Sequence, residues 1–131
     1  MRLAAVRAVA ALVLVVIVPA VAGAAMIHLK LERSEPAANA VLPVSPATVR
    51  LWFTQKPELT VTSIKIRTGL GSSAVERALA PLARATAAGS PITAPVGAAL
   101  APGRHEVVWR TMARDGHVLN GVIPFDVRPA R

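Results

Sequence analysis

The sequence predicts an all-β domain, an antiparallel sandwich or barrel, and three observations carry that prediction. Segments around Leu51, Ile66, Trp109 and Phe125 alternate apolar and polar residues with the period of two expected of half-buried strands. Prolines and glycines punctuate the spaces between these segments. No stretch after the first two dozen residues shows a helical period that proline leaves intact. Short strands joined by turn-rich connections, with no convincing helix, point to sheet packed on sheet.

Taken in order, residues 29–33 alternate and form a first strand. Pro36, Pro43 and Pro46 then exclude a helix interior and a central strand from residues 34–46. Residues 48–55 place Val49, Leu51 and Phe53 on one face and Arg50, Trp52 and Thr54 on the other. A turn at Lys56, Pro57 and Glu58 precedes a strand over residues 60–68, with Ile64 and Ile66 inward and Lys65 and Arg67 outward. Residues 74–88 are alanine-rich and broken by Pro81, which predicts irregular structure with short strands at most. Residues 90–103 read as loop and edge strand. His105, Val107 and Trp109 then share a face, residues 113–116 form a turn, and Ile123, Phe125 and Val127 point inward along the last strand.

The N-terminus has a different character. Arg2 and Arg7 precede an apolar run over residues 8–18, then Pro19 and the small residues 20–25. This is the layout of a secretory signal peptide, so residues 1–25 are expected to be a leader and residues 26–131 the domain. The alternative is an uncleaved anchor, since residues 3–25 are almost long enough to span a bilayer. Export places the domain in the periplasm or outside the cell. The formal charge of +8 becomes +6 without the leader, with 13 basic residues against 7 acidic. The basic residues are scattered singly and aromatics are few, a poor footprint for nucleic acid. Zero cysteines exclude disulfides, thiolate metal sites and cysteine nucleophiles. Any metal ligands are therefore nitrogen, oxygen or thioether.

The chemistry concentrates late in the chain, in Asp115-Gly116-His117. In an extended backbone residues two apart point to the same side, so the carboxylate and the imidazole can reach one ion. The competing reading is a plain Asp-Gly turn between two strands. No Ser/His/Asp or paired-carboxylate arrangement offers a hydrolytic site, and an enzyme is not expected.

Residues at both ends of the domain carry a resemblance. Pro102-Gly103, Val107-Val108-Trp109-Arg110, Asp115-Gly116-His117, Gly121 and Phe125-Asp126-Val127 resemble the C-terminal half of the CopC copper-resistance family. His28, Leu31, Ser34, Pro36-Ala37 and Val41-Leu42 resemble its opening pattern, and residues 49–53 its next strand. The resemblance implies a Greek-key β-barrel of immunoglobulin-like character. It also implies one copper(II) per chain, held by His28 and His117 with Asp115 as third ligand or its close support. Two imidazoles and a carboxylate suit the tetragonal nitrogen and oxygen preference of copper(II). His105 falls where the family usually has an aromatic residue, and is expected to be a partly buried strand residue. Met112 is expected to fill a core gap, and the absence of clustered methionines argues against a dedicated copper(I) site.

One departure matters. Family sites use a mature N-terminal histidine whose α-amine is a further donor, whereas cleavage after Ala24 or Ala25 leaves His28 fourth or third. Third place permits a different chelate, built from the amine, two backbone amides and the ring. The leading expectation is an exported protein that sequesters copper(II) or passes it to a CopD-type membrane partner. The alternatives are a histidine-brace oxidative enzyme, which needs His28 at the N-terminus, and a β-sandwich used for protein contacts alone.

Overall fold

The computed structural model describes residues 28–80 and 89–131. The expected leader and the second half of the alanine-rich stretch lie outside them. Eight strands occur among the described residues: β1 (Leu31–Glu35), β2 (Ala40–Leu42), β3 (Thr48–Phe53), β4 (Ser63–Thr68), β5 (Val75–Ala78), β6 (Ile92–Pro95), β7 (Gly103–Met112) and β8 (Val118–Val127). They form a three-stranded sheet ordered β1-β3-β6 and a five-stranded sheet ordered β2-β8-β7-β4-β5. The chain folds as the β-sandwich that its alternation predicts.

The inward faces are those expected. Val49, Leu51 and Phe53 of β3 meet Ile64 and Ile66 of β4, Val107 and Trp109 of β7, and Ile123, Phe125 and Val127 of β8 in one core. The ring of Phe53 meets Trp109 edge-on at 5.4 Å, which ties the two sheets together near one end. Trp109 faces Gly121 across the β7–β8 ladder. A Cβ on Gly121 would lie 2.7 Å from the indole, so only glycine lets the ring lie flat on the neighbouring strand.

Several details differ from the sequence reading. Every described strand pairing is antiparallel except β2, which runs parallel to β8. The flanking prolines limit β2 to three residues at the sheet edge. The first strand begins at Leu31 instead of residue 29. The backbone of Lys30 bonds Thr54 beyond the end of β3, and Leu29 is buried as a plug of the core. The segment over 60–68 is not a single strand. A 3-10 turn at Leu59–Val61 comes first, closed by the Thr62 N–H donating to the Leu59 carbonyl at 3.1 Å. The alanine-rich stretch, expected to hold short strands at most, agrees with its reading: it supplies the four-residue edge strand β5, paired with β4.

Strand directions decide what shares an end. Leu31 opens β1 opposite Phe53, which closes β3; Met112 closes β7 opposite Val118, which opens β8; and Ser63 opens β4 opposite Arg110. The start of the domain, the β3–β4 connection and the β7–β8 turn therefore lie at one pole.

Candidate metal centre

The β7–β8 turn is a five-residue hairpin closure. The Ala113 N–H donates to the His117 carbonyl at 2.9 Å, and the Gly116 N–H to the Ala113 carbonyl at 3.0 Å. Gly116 has φ +90°, a conformation that side chains resist, so the glycine is needed for the turn. Inside it, Oδ1 of Asp115 accepts the His117 N–H at 3.0 Å and Oδ2 lies 2.8 Å from His117 Nδ1. The two side chains thus meet, but not through the extended backbone that the sequence suggested. An aspartate clasping the backbone two residues ahead bends the chain and delivers the imidazole to its own carboxylate.

This geometry fixes the imidazole. A carboxylate only accepts, so Nδ1 carries a proton; in the neutral ring that leaves the lone pair on Nε2, the nitrogen turned away from Asp115. The hydrogen bond from His117 holds the Asp115 carboxyl below its ordinary value of 3.8, helped by the His117 backbone N–H. His117 is 83% exposed and Asp115 58%, so both side chains are open to solvent. In this arrangement Asp115 supports the imidazole directly and retains lone pairs of its own.

His28 reaches the same pole by another route. Its carbonyl accepts from Thr54 Oγ1 at 2.7 Å. Four residues later the Glu58 N–H donates to the Met112 carbonyl at 3.0 Å, beside the hairpin turn. Four residues of chain span at most about 14 Å, so the β3–β4 connection ties the two halves of the candidate site to one small region. The described residues nevertheless include no gathered group of three His, Cys, Asp or Glu side chains suited to a metal. Asp115 and His117 are paired; His28 lies at the same end without joining them.

His105 lies elsewhere. It pairs with Thr68 toward the opposite pole, seven residues or roughly 23 Å of strand from Met112. The expected strand residue is more deeply placed than expected, at 1% exposure. Nε2 donates to the Ala101 carbonyl at 2.8 Å and Nδ1 lies 3.0 Å from Thr68 Oγ1, while Phe125 packs at 5.6 Å. Both ring nitrogens are occupied, so this histidine is a buried structural group. The residue that sequence reasoning missed is Thr54, assigned only to an outward strand face. Its position after a strand carries no local signal of its contact 26 residues away.

Comparison with known proteins agrees with this architecture. The family model described as CopC domain matches residues 31–128. The chain belongs to the CopC family. It is 29% identical over 124 residues to copper resistance protein C of Xanthomonas campestris pv. juglandis, covering 93% of this chain and 97% of that protein. Among solved structures, CopC of Methylosinus trichosporium OB3b matches with a TM-score of 0.65 at 27% identity, over 79% of this chain and 97% of that one. PcoC, a methionine-rich copper resistance protein of Escherichia coli, shares the fold at a TM-score of 0.63 and 22% identity, over 77% of this chain and 99% of its own.

Proposed function

We propose that this CopC-family chain is an exported copper(II) carrier that takes one ion at the pole formed by His28, Asp115 and His117. The observation that carries the reading is the clasped hairpin turn. It presents an exposed imidazole with Nε2 free, backed by a carboxylate, at the end of the sandwich where the domain begins. Two imidazoles and a carboxylate outrank a zinc preference, because copper(II) stands higher in the divalent affinity order at nitrogen and oxygen sites. A mobile ion is best held by accessible ligands, and both histidines are exposed. The role is carriage rather than catalysis: the protein sequesters copper(II) in the periplasm or outside the cell, or passes it to a CopD-type membrane partner.

Titration with copper(II) tests the site. His117→Ala removes one imidazole and weakens binding by more than tenfold, about 1.4 kcal/mol or more. His105→Ala lowers the thermal midpoint but leaves copper affinity unchanged, since its ring lies at the other pole. Parent affinity in His117→Ala, with binding abolished in His28→Ala, would replace this site by the third-position amine chelate. Mass spectrometry of the exported protein fixes the mature N-terminus. An intact N-terminus recovered from membranes would establish the anchored form instead.

A further inference from the structure

His28 precedes the first strand, and the ladder that should hold it is irregular there. The β1–β3 register shifts between Leu31 and Arg33, the first residues to pair. Three hydrogen bonds from one residue do the fastening instead. Thr54 Oγ1 donates to the His28 carbonyl at 2.7 Å and accepts the Lys30 N–H at 2.9 Å. The Thr54 N–H donates to the Lys30 carbonyl, also at 2.9 Å. Between the two clasped residues, Leu29 is 5% exposed and seated in the core. A single hydroxyl serves as donor to one strand-leading carbonyl and acceptor for the next-but-one amide, a pairing that a methyl group cannot reproduce.

We propose that Thr54 is the positioning residue of the copper site: it does not touch the ion, but holds the His28 backbone at the pole so that the imidazole is presented in one place. The proposal rests on the reading of His28 as a copper donor. Its physical basis is entropy. A segment already ordered in the free protein does not have to be ordered on binding, and each backbone residue left loose costs affinity by roughly fivefold. Leu29 and the Thr54 N–H bond to the Lys30 carbonyl anchor the segment without the side chain; the hydroxyl adds the bonds that fix the His28 carbonyl and the Lys30 amide.

The test uses the exported protein with Thr54→Val, which keeps the shape and loses the hydroxyl, and Thr54→Ser, which restores it. Both are made alone and in a His28→Ala background. In the copper-free protein, hydrogen exchange at the Lys30 amide should speed up in Thr54→Val and stay slow in Thr54→Ser. Copper(II) affinity should fall by about tenfold in Thr54→Val, as for a segment of one to two residues set loose, and remain near the parent in Thr54→Ser. Electron paramagnetic resonance should show a weakened or heterogeneous nitrogen coupling only in Thr54→Val. In the His28→Ala background, Thr54→Val should cause no further loss. Unchanged affinity in Thr54→Val, alongside a clear loss in His28→Ala, overturns the proposal while leaving the site intact. An equal loss from Thr54→Val in both backgrounds overturns it in favour of a general effect on the fold. No loss in His28→Ala overturns both this proposal and the assignment of His28.

Discussion

Asp115 does two jobs with its two oxygens, one closing a turn through the His117 N–H and the other orienting the His117 ring. Because His117 holds its carboxyl below the ordinary value of 3.8, the charged form is favoured in the folded turn. A lowered carboxyl contributes its support above the ordinary value and loses it as pH falls through the lowered one. A carboxyl titration followed by NMR should therefore give Asp115 a midpoint below 3.8 in the parent, moving back toward that value in His117→Ala. A parent midpoint at or above the ordinary value would contradict the clasp. Gly121 is the other residue whose identity is set by a single neighbour. A methyl group there would meet the rigid Trp109 indole at 2.7 Å, so Gly121→Ala displaces the ring and its edge contact with Phe53. Overpacking of this kind costs about 1–3 kcal/mol, which a denaturant midpoint and the tryptophan emission should both register.

At the scale of elements, the β3–β4 connection links the two sheets and organises the site's pole. Thr62 Oγ1 donates to the Glu58 carbonyl at 2.7 Å, so its close partner Thr111, at 2.6 Å, must be the donor in their hydroxyl pair. Thr111 is 1% exposed on the inner face of β7, where the alternation predicts an apolar residue. Thr111→Val removes that donor yet leaves the Thr62 hydroxyl bonded to Glu58, so the loss should be modest, about 1 kcal/mol in urea unfolding. The same change should loosen the Glu58–Met112 backbone contact, read as faster exchange of the Glu58 amide. The outer face of the five-stranded sheet is held differently. Arg67 lies between Glu76 and Glu106, with Lys65 also on Glu76. This ladder favours the charged form of Glu76, chiefly through the hydrogen bond from Arg67.

Across the whole molecule, stability belongs to the apolar layer between the sheets. No disulfide supports it, and among the described residues the ion pairs lie at partly or largely exposed side chains. Such pairs contribute little and are screened by salt. Raising sodium chloride from dilute buffer to the molar range should therefore move the thermal midpoint only slightly, whereas Phe125→Ala, at a fully buried position, should cost about 3–5 kcal/mol. A large fall in midpoint with salt would place the stability on the surface instead. Far-ultraviolet circular dichroism of the protein should show a β-dominated spectrum.

Much of this was legible in the sequence because a strand's burial pattern is local. Val49-Leu51-Phe53, Ile64-Ile66, Val107-Trp109 and Ile123-Phe125-Val127 declare their inward face by alternation alone, and these residues form the core. The turn over residues 113–116 was legible too, from Asp-Gly, but the clasp of Asp115 on His117 was not, because the same spacing also suits an extended backbone. Sequence could not supply the parallel pairing of β2 with β8, because a three-residue strand between prolines has no pattern long enough to reveal its partner. Nor could it show which ring nitrogen Asp115 holds, or that His105 is used up by Thr68 and Ala101. Thr54 was equally hidden, its hydroxyl meeting His28 and Lys30 only when β1 lies beside β3. The alternation of residues determined the strands and their inner faces; the packing of strands distant in sequence decided which polar groups found each other.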